Sequence, residues 1–205
     1  MRPGTAEFLK EMSKYYELVI FTASLSKYAN PLMDILDPER FCTSRLFREH
    51  CNYVFAERIY VKDMSQLGRR IEDVILIDNS PNSYRPQPEN AVPILSWYDD
   101  QTDRELYKLT PLLKNLSKVP DVRAVLGQVH ENHKLDLEKA ERLTNSILRQ
   151  LESRADSHGT KSGRTGGQSQ NRGPLSLNTD DIELNDRGSE LDLLRSSEHP
   201  FGPKK

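Results

Sequence analysis

The chain has 205 residues, 29 Lys and Arg against 31 Asp and Glu, a formal charge of −2 and 36% hydrophobic residues. This length suits one domain of about 100–200 residues, and the balanced charge leaves no basic excess for nucleic-acid phosphates or anionic lipid, so no nucleic-acid partner is expected. Apolar runs such as Leu18–Phe21 and Val74–Ile77 are far shorter than the roughly 20 residues that span a bilayer, so no membrane span is expected, and two cysteines exclude a disulfide framework.

Composition divides the chain. Residues 155–205 hold nine apolar side chains in 51 positions and seven of the ten glycines. Such a segment buries too little apolar area to offset its ordering entropy, and a disordered tail is the expectation. The expected organisation is therefore a domain over 1–130, an amphipathic helix over 131–154 and the tail over 155–205.

In chain order, Glu7–Tyr16 has helical spacing at Phe8, Leu9, Met12, Tyr15 and Tyr16 after a Pro3-Gly4 turn. Leu18–Phe21 is a continuous β-branched and aromatic run, the pattern of a strand buried on both faces. Ser24 or Ser26 can cap a helix over Lys27–Leu36, closed by Pro38. Ser44–Tyr60 has the pattern of short strands with a hairpin. Asp73–Ile77 and Ala91–Leu95 are two more buried strands. Thr102–Leu116 and Asp121–Val129 are helices with Thr102 and Asp121 as caps. His133–Arg154 repeats apolar positions at Leu137, Ala140, Ile147, Leu148 and Leu151, an amphipathic stripe that needs a partner, either this domain or another chain. Helices alternating with buried strands predict an α/β parallel sheet.

Ligands of open α/β sheets bind beyond the carboxyl ends of the strands, and two strands end there in compact polar groups. The first ends Phe21-Thr22-Ala23-Ser24, where a hydroxyl and backbone amides can hold a phosphate oxygen. The second ends Ile77-Asp78-Asn79-Ser80-Pro81, where a carboxylate and an amide oxygen, both hard donors, suit magnesium. Between them, Lys62 offers an ammonium that can meet phosphoryl charge. Taken singly, the Thr reads as a cap, the Asp-Asn-Ser-Pro stretch as a turn and the Lys as a solvated surface group; their order and spacing together are more specific.

At these residues the chain resembles the small C-terminal-domain phosphatases of the haloacid dehalogenase superfamily, which dephosphorylate phosphoserine in the tail of RNA polymerase II and related targets. The segments that carry the likeness are Arg2-Pro-Gly4, Glu7-Phe-Leu9, Val19–Ala29, Ser44–Glu49, Tyr60–Gly68, Val74–Pro81, Glu89–Pro93 and Ser96-Trp97. The resemblance implies a Rossmann-like parallel sheet flanked by helices, with a small hairpin insert, and a phosphoryl transfer through an aspartyl-phosphate with Mg2+ as cofactor. It implies that Thr22 binds phosphate, that Lys62 stabilises the transferring group, that Asn79 ligates the metal, and that Asp78 orients both the lysine and the metal's water shell. It further places Ser24, Tyr28 and Arg48 along a substrate groove, with a phosphoserine or phosphothreonine protein as substrate. The setting it implies is intracellular, nuclear or cytoplasmic. The loop Asn52–Ile59 is about two residues longer than in the resembled pattern.

One departure bears on chemistry. The family's nucleophile and its acid/base lie in an Asp-x-Asp-x-Thr/Val motif on a strand preceding the Arg-Pro-Gly segment, and no two aspartates here are separated by one residue. In the resembled fold that strand is central, between the strands ending at Thr22 and Asp78. A fragment of a longer phosphatase, inactive as it stands and lacking this first strand, is therefore the expectation. A non-catalytic interaction protein, or an adaptor like the mitochondrial translocase subunit built on the same domain, is the alternative.

Overall fold

The computed structural model describes residues 1–131, 134–158 and 172–177. Helix α1 (Thr5–Met12) is entered through Gly4 at φ 84°, and buries Phe8, Leu9 and Met12 on one face. That left-handed backbone favours glycine, and a Cβ at Gly4 would also lie 2.7 Å from the Tyr107 ring. Strand β1 (Tyr16–Phe21), helix α2 (Ser26–Leu36) and strand β2 (Cys42–Leu46) follow as a crossover unit, with β1 and β2 parallel. Buried Asp37 makes the return, its two carboxylate oxygens accepting the Phe41 and Cys42 N–H groups at 2.8 Å each.

A hairpin of β3 (Asn52–Val54) and β4 (Ile59–Val61) projects from the sheet, and β5 (Ile75–Asp78) and β6 (Ala91–Pro93) return to it. Then come α3 (Glu105–Leu116), α4 (Arg123–Leu126), a small antiparallel pair of β7 (His130–Glu131) and β8 (Lys134–Leu135), α5 (Leu137–His158) and β9 (Arg172–Leu177). The main sheet is parallel throughout, in the order β2-β1-β9-β5-β6. Period-two alternation sorts β5 between the faces. Ile75 and Ile77 join the large core with α1, α3 and α4, while Leu76 packs with Met64, Val74, Tyr84 and Ala91 on the other side.

The α/β parallel architecture agrees with the expectation from sequence, and several local assignments need correction. Residues 172–177, assigned from composition to a disordered tail, form β9 in the middle of the sheet. The slot expected to lack a strand is thus filled by this chain's own segment. A segment too poor in apolar residues to build a core of its own can still add a strand to a sheet that is already there. Strand β2 starts at Cys42 and pairs with β1 instead of belonging to the hairpin. Neither Ser24 nor Ser26 caps α2; its N-cap is Leu25 without a side-chain bond. Thr102 donates instead to Asp100, and the first α3 amide, that of Glu105, donates to Asp103. Asp121 does accept the Arg123 amide at the start of α4, as its sequence position suggests.

Helix α5 lays its apolar stripe on its own domain, packing against α3 and α4 with Ala140 and Thr144 fully buried and Leu137, Leu143, Ile147 and Leu148 against the core. His133, the expected start of this helix, lies outside the described residues, as does most of the expected tail. Among the described residues no helix is long and apolar enough to cross a membrane.

Arg2 ties the amino end to the turn before α3. Its guanidinium donates to both Asp103 oxygens at 2.9 Å and to the Leu95 carbonyl at 2.8 Å. These Arg2 hydrogen bonds hold the Asp103 carboxyl below the usual carboxylate range. A depressed folded pKa stabilises fully above the unfolded value of about 3.9, and the contribution is lost as pH falls through the folded value. We predict that Asp103→Asn costs about 2 kcal/mol at neutral pH in urea unfolding. The gap from the parent should stay constant on acidification to about pH 4 and close below it. A gap unchanged at the lowest pH that still gives a folded protein would contradict this role.

Candidate phosphoryl-binding site

Strands β1 and β5 both flank β9, and their carboxyl ends come out level. Leu177 pairs with Ile20 on one side and Ile77 on the other. Thr22 and Asp78 therefore stand at the same end of the sheet, two strand spacings or about 10 Å apart.

Each side chain is fixed by its surroundings. The Thr22 amide donates to Leu46 O at 2.9 Å, and its buried hydroxyl accepts the Ser24 amide at 3.0 Å, folding the turn after β1 inward. Arg48 holds that turn from the far side, its amide donating to Ser24 O at 3.0 Å and its Nε to Ala23 O at 2.6 Å. The Arg48 guanidinium also lies 5.0 Å from the centre of the Tyr60 ring, a cation–π contact that joins the turn to the hairpin.

Lys62 follows β4 and is completely buried. Its amide donates to Ser83 O at 2.7 Å, and its Nζ donates to Asp78 Oδ2 at 2.7 Å. Both side chains of this pair are at most 1% exposed. The other Asp78 oxygen accepts the Ser80 amide at 2.7 Å. Asn79, half-buried, donates through Nδ2 to Ser96 Oγ at 2.8 Å. The Lys62 Nζ also sits 5.8 Å from the centre of the Phe21 ring, next to Thr22. The solvated surface lysine and the solvated turn are thus both excluded for Lys62 and Asp78.

A cavity of about 330 Å3 opens beside this pair, lined by Ala23, Tyr60, Asn79, Ser80, Ser83 and Trp97 among others. Of the expected substrate residues, Arg48 meets it through Tyr60. Ser24 contributes its backbone to the turn, and Tyr28 stands 64% exposed on the first turn of α2, away from the cavity lining. Tyr60, Ser83, Trp97 and the exposed Tyr98 were not singled out as site residues from sequence; the only signal was that Tyr60 and Ser96-Trp97 fall in segments that resemble the family. Tyr84 was missed as well. Its buried hydroxyl has no hydrogen-bond partner among the described residues, and burial, then the nearby Asp78 charge, push its pKa up to about 12.

For magnesium the residues in place fall short. Asp78 already bonds Lys62 and Ser80 through its two oxygens, and Asn79 adds one amide oxygen. No group of three or more His, Cys, Asp or Glu suited to a metal occurs among the described residues. Magnesium demands near-octahedral oxygen coordination, which these two residues do not supply alone.

The comparison with known proteins agrees with this geometry. Residues 1–123 match the model of the NLI interacting factor-like phosphatase family, and the chain belongs to that family. It is 51% identical over 131 residues to a probable C-terminal domain small phosphatase of Dictyostelium discoideum, covering 64% of this chain and 42% of the relative. It is 52% identical over 128 residues to the human CTD small phosphatase-like protein, covering 62% of this chain and 46% of the relative. A third relative, human carboxy-terminal domain RNA polymerase II polypeptide A small phosphatase 1, is 50% identical over 127 residues, covering 62% of this chain and 48% of the relative. The chain spans less than half the length of each of these relatives.

The buried pair gives a direct test. Asp78→Asn or Lys62→Met strands one charge in the interior, at a cost of about 3 kcal/mol or more each in chemical denaturation. The double variant Lys62→Met/Asp78→Asn removes the stranded charge and should lose clearly less than the sum of the two. Strict additivity would show that the two charges do not support one another.

Proposed function

We propose that this domain recognises phosphoserine or phosphothreonine in a protein, in a magnesium-dependent family that hydrolyses it through an aspartyl-phosphate. The 205-residue chain itself would bind the phosphoryl group without turning it over. The observation that carries this reading is the fully buried Lys62–Asp78 pair at 2.7 Å, at the strand end level with Thr22. A buried ammonium held by a carboxylate is a preorganised positive charge, worth far more against phosphoryl oxygens than a solvated one. Thr22 and its turn stand on the facing side of the slot. Arg48, Tyr60, Trp97 and Tyr98 offer charged and aromatic surface for the peptide around a phosphorylated residue.

Magnesium would screen phosphoryl charge when bound. Asn79 would supply one oxygen of its site, which becomes complete only with carboxylates brought by another strand. The missing turnover follows from the amino acids present. Attack on phosphorus needs a carboxylate nucleophile on a strand beside Thr22 and Asp78, and β9 brings Arg-Gly-Pro-Leu-Ser-Leu to that place. An intracellular setting, nuclear or cytoplasmic, suits such a substrate.

With p-nitrophenyl phosphate and magnesium, the purified chain should show no hydrolysis above background, because positioning without a nucleophile leaves little rate enhancement. Turnover that disappears in Asn79→Ala would overturn this, since it would reveal a working catalytic site. In a chain extended upstream by an Asp-x-Asp strand, Lys62→Ala should lower turnover by roughly 100-fold or more. Thr22→Ala should cost less, because losing its hydroxyl releases the Ser24 amide, which can then serve a phosphoryl oxygen. A Lys62→Ala variant as fast as its parent would refute the role of the lysine.

A further inference from the structure

We propose that the outer face of the β3–β4 hairpin is a specificity surface that takes one large apolar side chain of the phosphorylated protein, a few residues from its phosphorylated position. It rests on the phosphoryl-recognition reading above and adds what that site selects in the surrounding sequence.

Strand pairing gathers three aromatic rings on one face. Tyr53 stands directly opposite Tyr60, while Val54 pairs with Ile59 and Asn52 with Val61. Alternation therefore turns Tyr53 and Tyr60 to one side and Val54, Ile59 and Val61 to the other. Val61 is buried, and Val54 and Ile59 are half-buried, so the aliphatic side is the one that packs. The ring side stays open. Tyr53 is 40% exposed and Phe55, two residues further on, is 85% exposed. The rings nevertheless touch, with centroids 4.8 Å apart both for Tyr60 with Tyr53 and for Tyr53 with Phe55.

A hairpin with one packed face carries polar side chains on the other when that other face meets only water. Single exposed apolar residues are ordinary, whereas a contiguous row of them beside a cavity marks an interaction surface. Its position selects the occupant. Tyr60 lines the cavity that also holds Asn79, Ser80 and Ser83, and its ring lies 5.0 Å from the Arg48 guanidinium. Arg48 in turn donates to Ala23 O in the turn after Thr22. From Tyr60 the row runs outward to Phe55 for at most about 10 Å, the reach of three residues of extended chain. A peptide anchored at Thr22 and Lys62 crosses the cavity first, so it meets these rings about three to five residues from its phosphorylated position. What it meets there is aromatic carbon, which suits a Leu, Met or Phe side chain.

The row is held in place before anything binds. Arg48 fixes its base through Tyr60. At its tip the Glu57 carboxylate accepts Arg85 Nη1 at 2.6 Å, which joins the hairpin to the loop that carries Ser83. Between these points the Glu57 and Arg58 amides both donate to Val54 O, at 3.2 and 2.9 Å, and close the turn. Rings that already lean on one another have little side-chain freedom left to lose when a ligand covers them, which favours binding.

The test uses the full chain and a phosphoserine peptide otherwise built of Gly, Ser and Lys, with a single Leu moved one position at a time along both sides of the phosphoserine. The parent should bind about 10-fold more tightly or better when Leu stands about three to five positions away on one side than when Leu is absent. The double variant Tyr53→Ser/Phe55→Ser should lose that gain and keep its affinity for the Leu-free phosphopeptide within about twofold of the parent, because both side chains lie outside the cavity lining. Ring-proton signals of Tyr53 and Phe55 should shift with the Leu peptide and stay unmoved with the Leu-free one. If the Leu-free phosphopeptide binds and Leu improves its affinity at no position, this proposal alone fails. If no phosphopeptide binds, with or without Leu, the phosphoryl reading fails and this proposal with it. A gain that survives the double substitution, or a dimer in sedimentation that depends on Phe55 and that the Leu peptide does not disperse, would also overturn it.

Discussion

A parallel sheet has no tolerance for an unfilled place in its middle, and this constraint governs the whole domain. β1 and β5 are apolar on both faces and carry the two polar strand ends that make the site, so their separation sets its dimensions. The strand between them holds that separation at two ladder spacings. Helices α1, α3, α4 and α5 cover one face, and the small cluster around Met64, Val74 and Tyr84 covers the other. Phe21 and Asp78 owe their level placement to register, since Leu177 pairs on both sides one residue short of them, and Thr22 follows one residue beyond.

Within that frame the electrostatics centre on Lys62. Removing an ammonium from water is costly, and the cost is offset by the Asp78 carboxylate, itself fixed by the Ser80 amide. A site that only needed stability would be served as well by apolar side chains of similar volume. The pair instead holds a positive charge in a dry setting at the end of the strands, where an anion can meet it. The turn after β1 is braced separately by Arg48, whose stacking on Tyr60 connects that turn to the hairpin wall.

Much of this was legible in the sequence, and the reasons are specific. Leu18–Phe21 and Val74–Ile77 announced central strands because only burial on both faces tolerates such runs. The stripe at Leu137, Ala140, Ile147 and Leu148 announced α5, although only the structure showed that α3 and α4 receive it. Thr22, Lys62 and Asp78 stood out through their order and family likeness, and the structure brings them to one end of the sheet; burial of the lysine is not legible in a Tyr-Val-Lys-Asp stretch with mixed polarity. β9 was missed because composition averages over 51 residues, while a strand filling a ready slot needs only six. The cavity lining at Ser83, Trp97 and Tyr98 was missed because it comes from loops, where no periodicity marks which side chains turn inward.

The central claim is that the strand ends at Thr22 and Asp78 form a phosphoryl-recognition site in the chain as it stands. The most direct measurement is a titration of the isotope-labelled protein with a phosphoserine peptide and its unphosphorylated twin, followed by amide chemical shifts. The account predicts saturable shifts confined to Thr22–Ser24, Arg48, Lys62 and Asn79–Ser80 with the phosphorylated peptide, and none there with its twin. Equal shifts with both peptides, or shifts that leave these amides untouched, would contradict it.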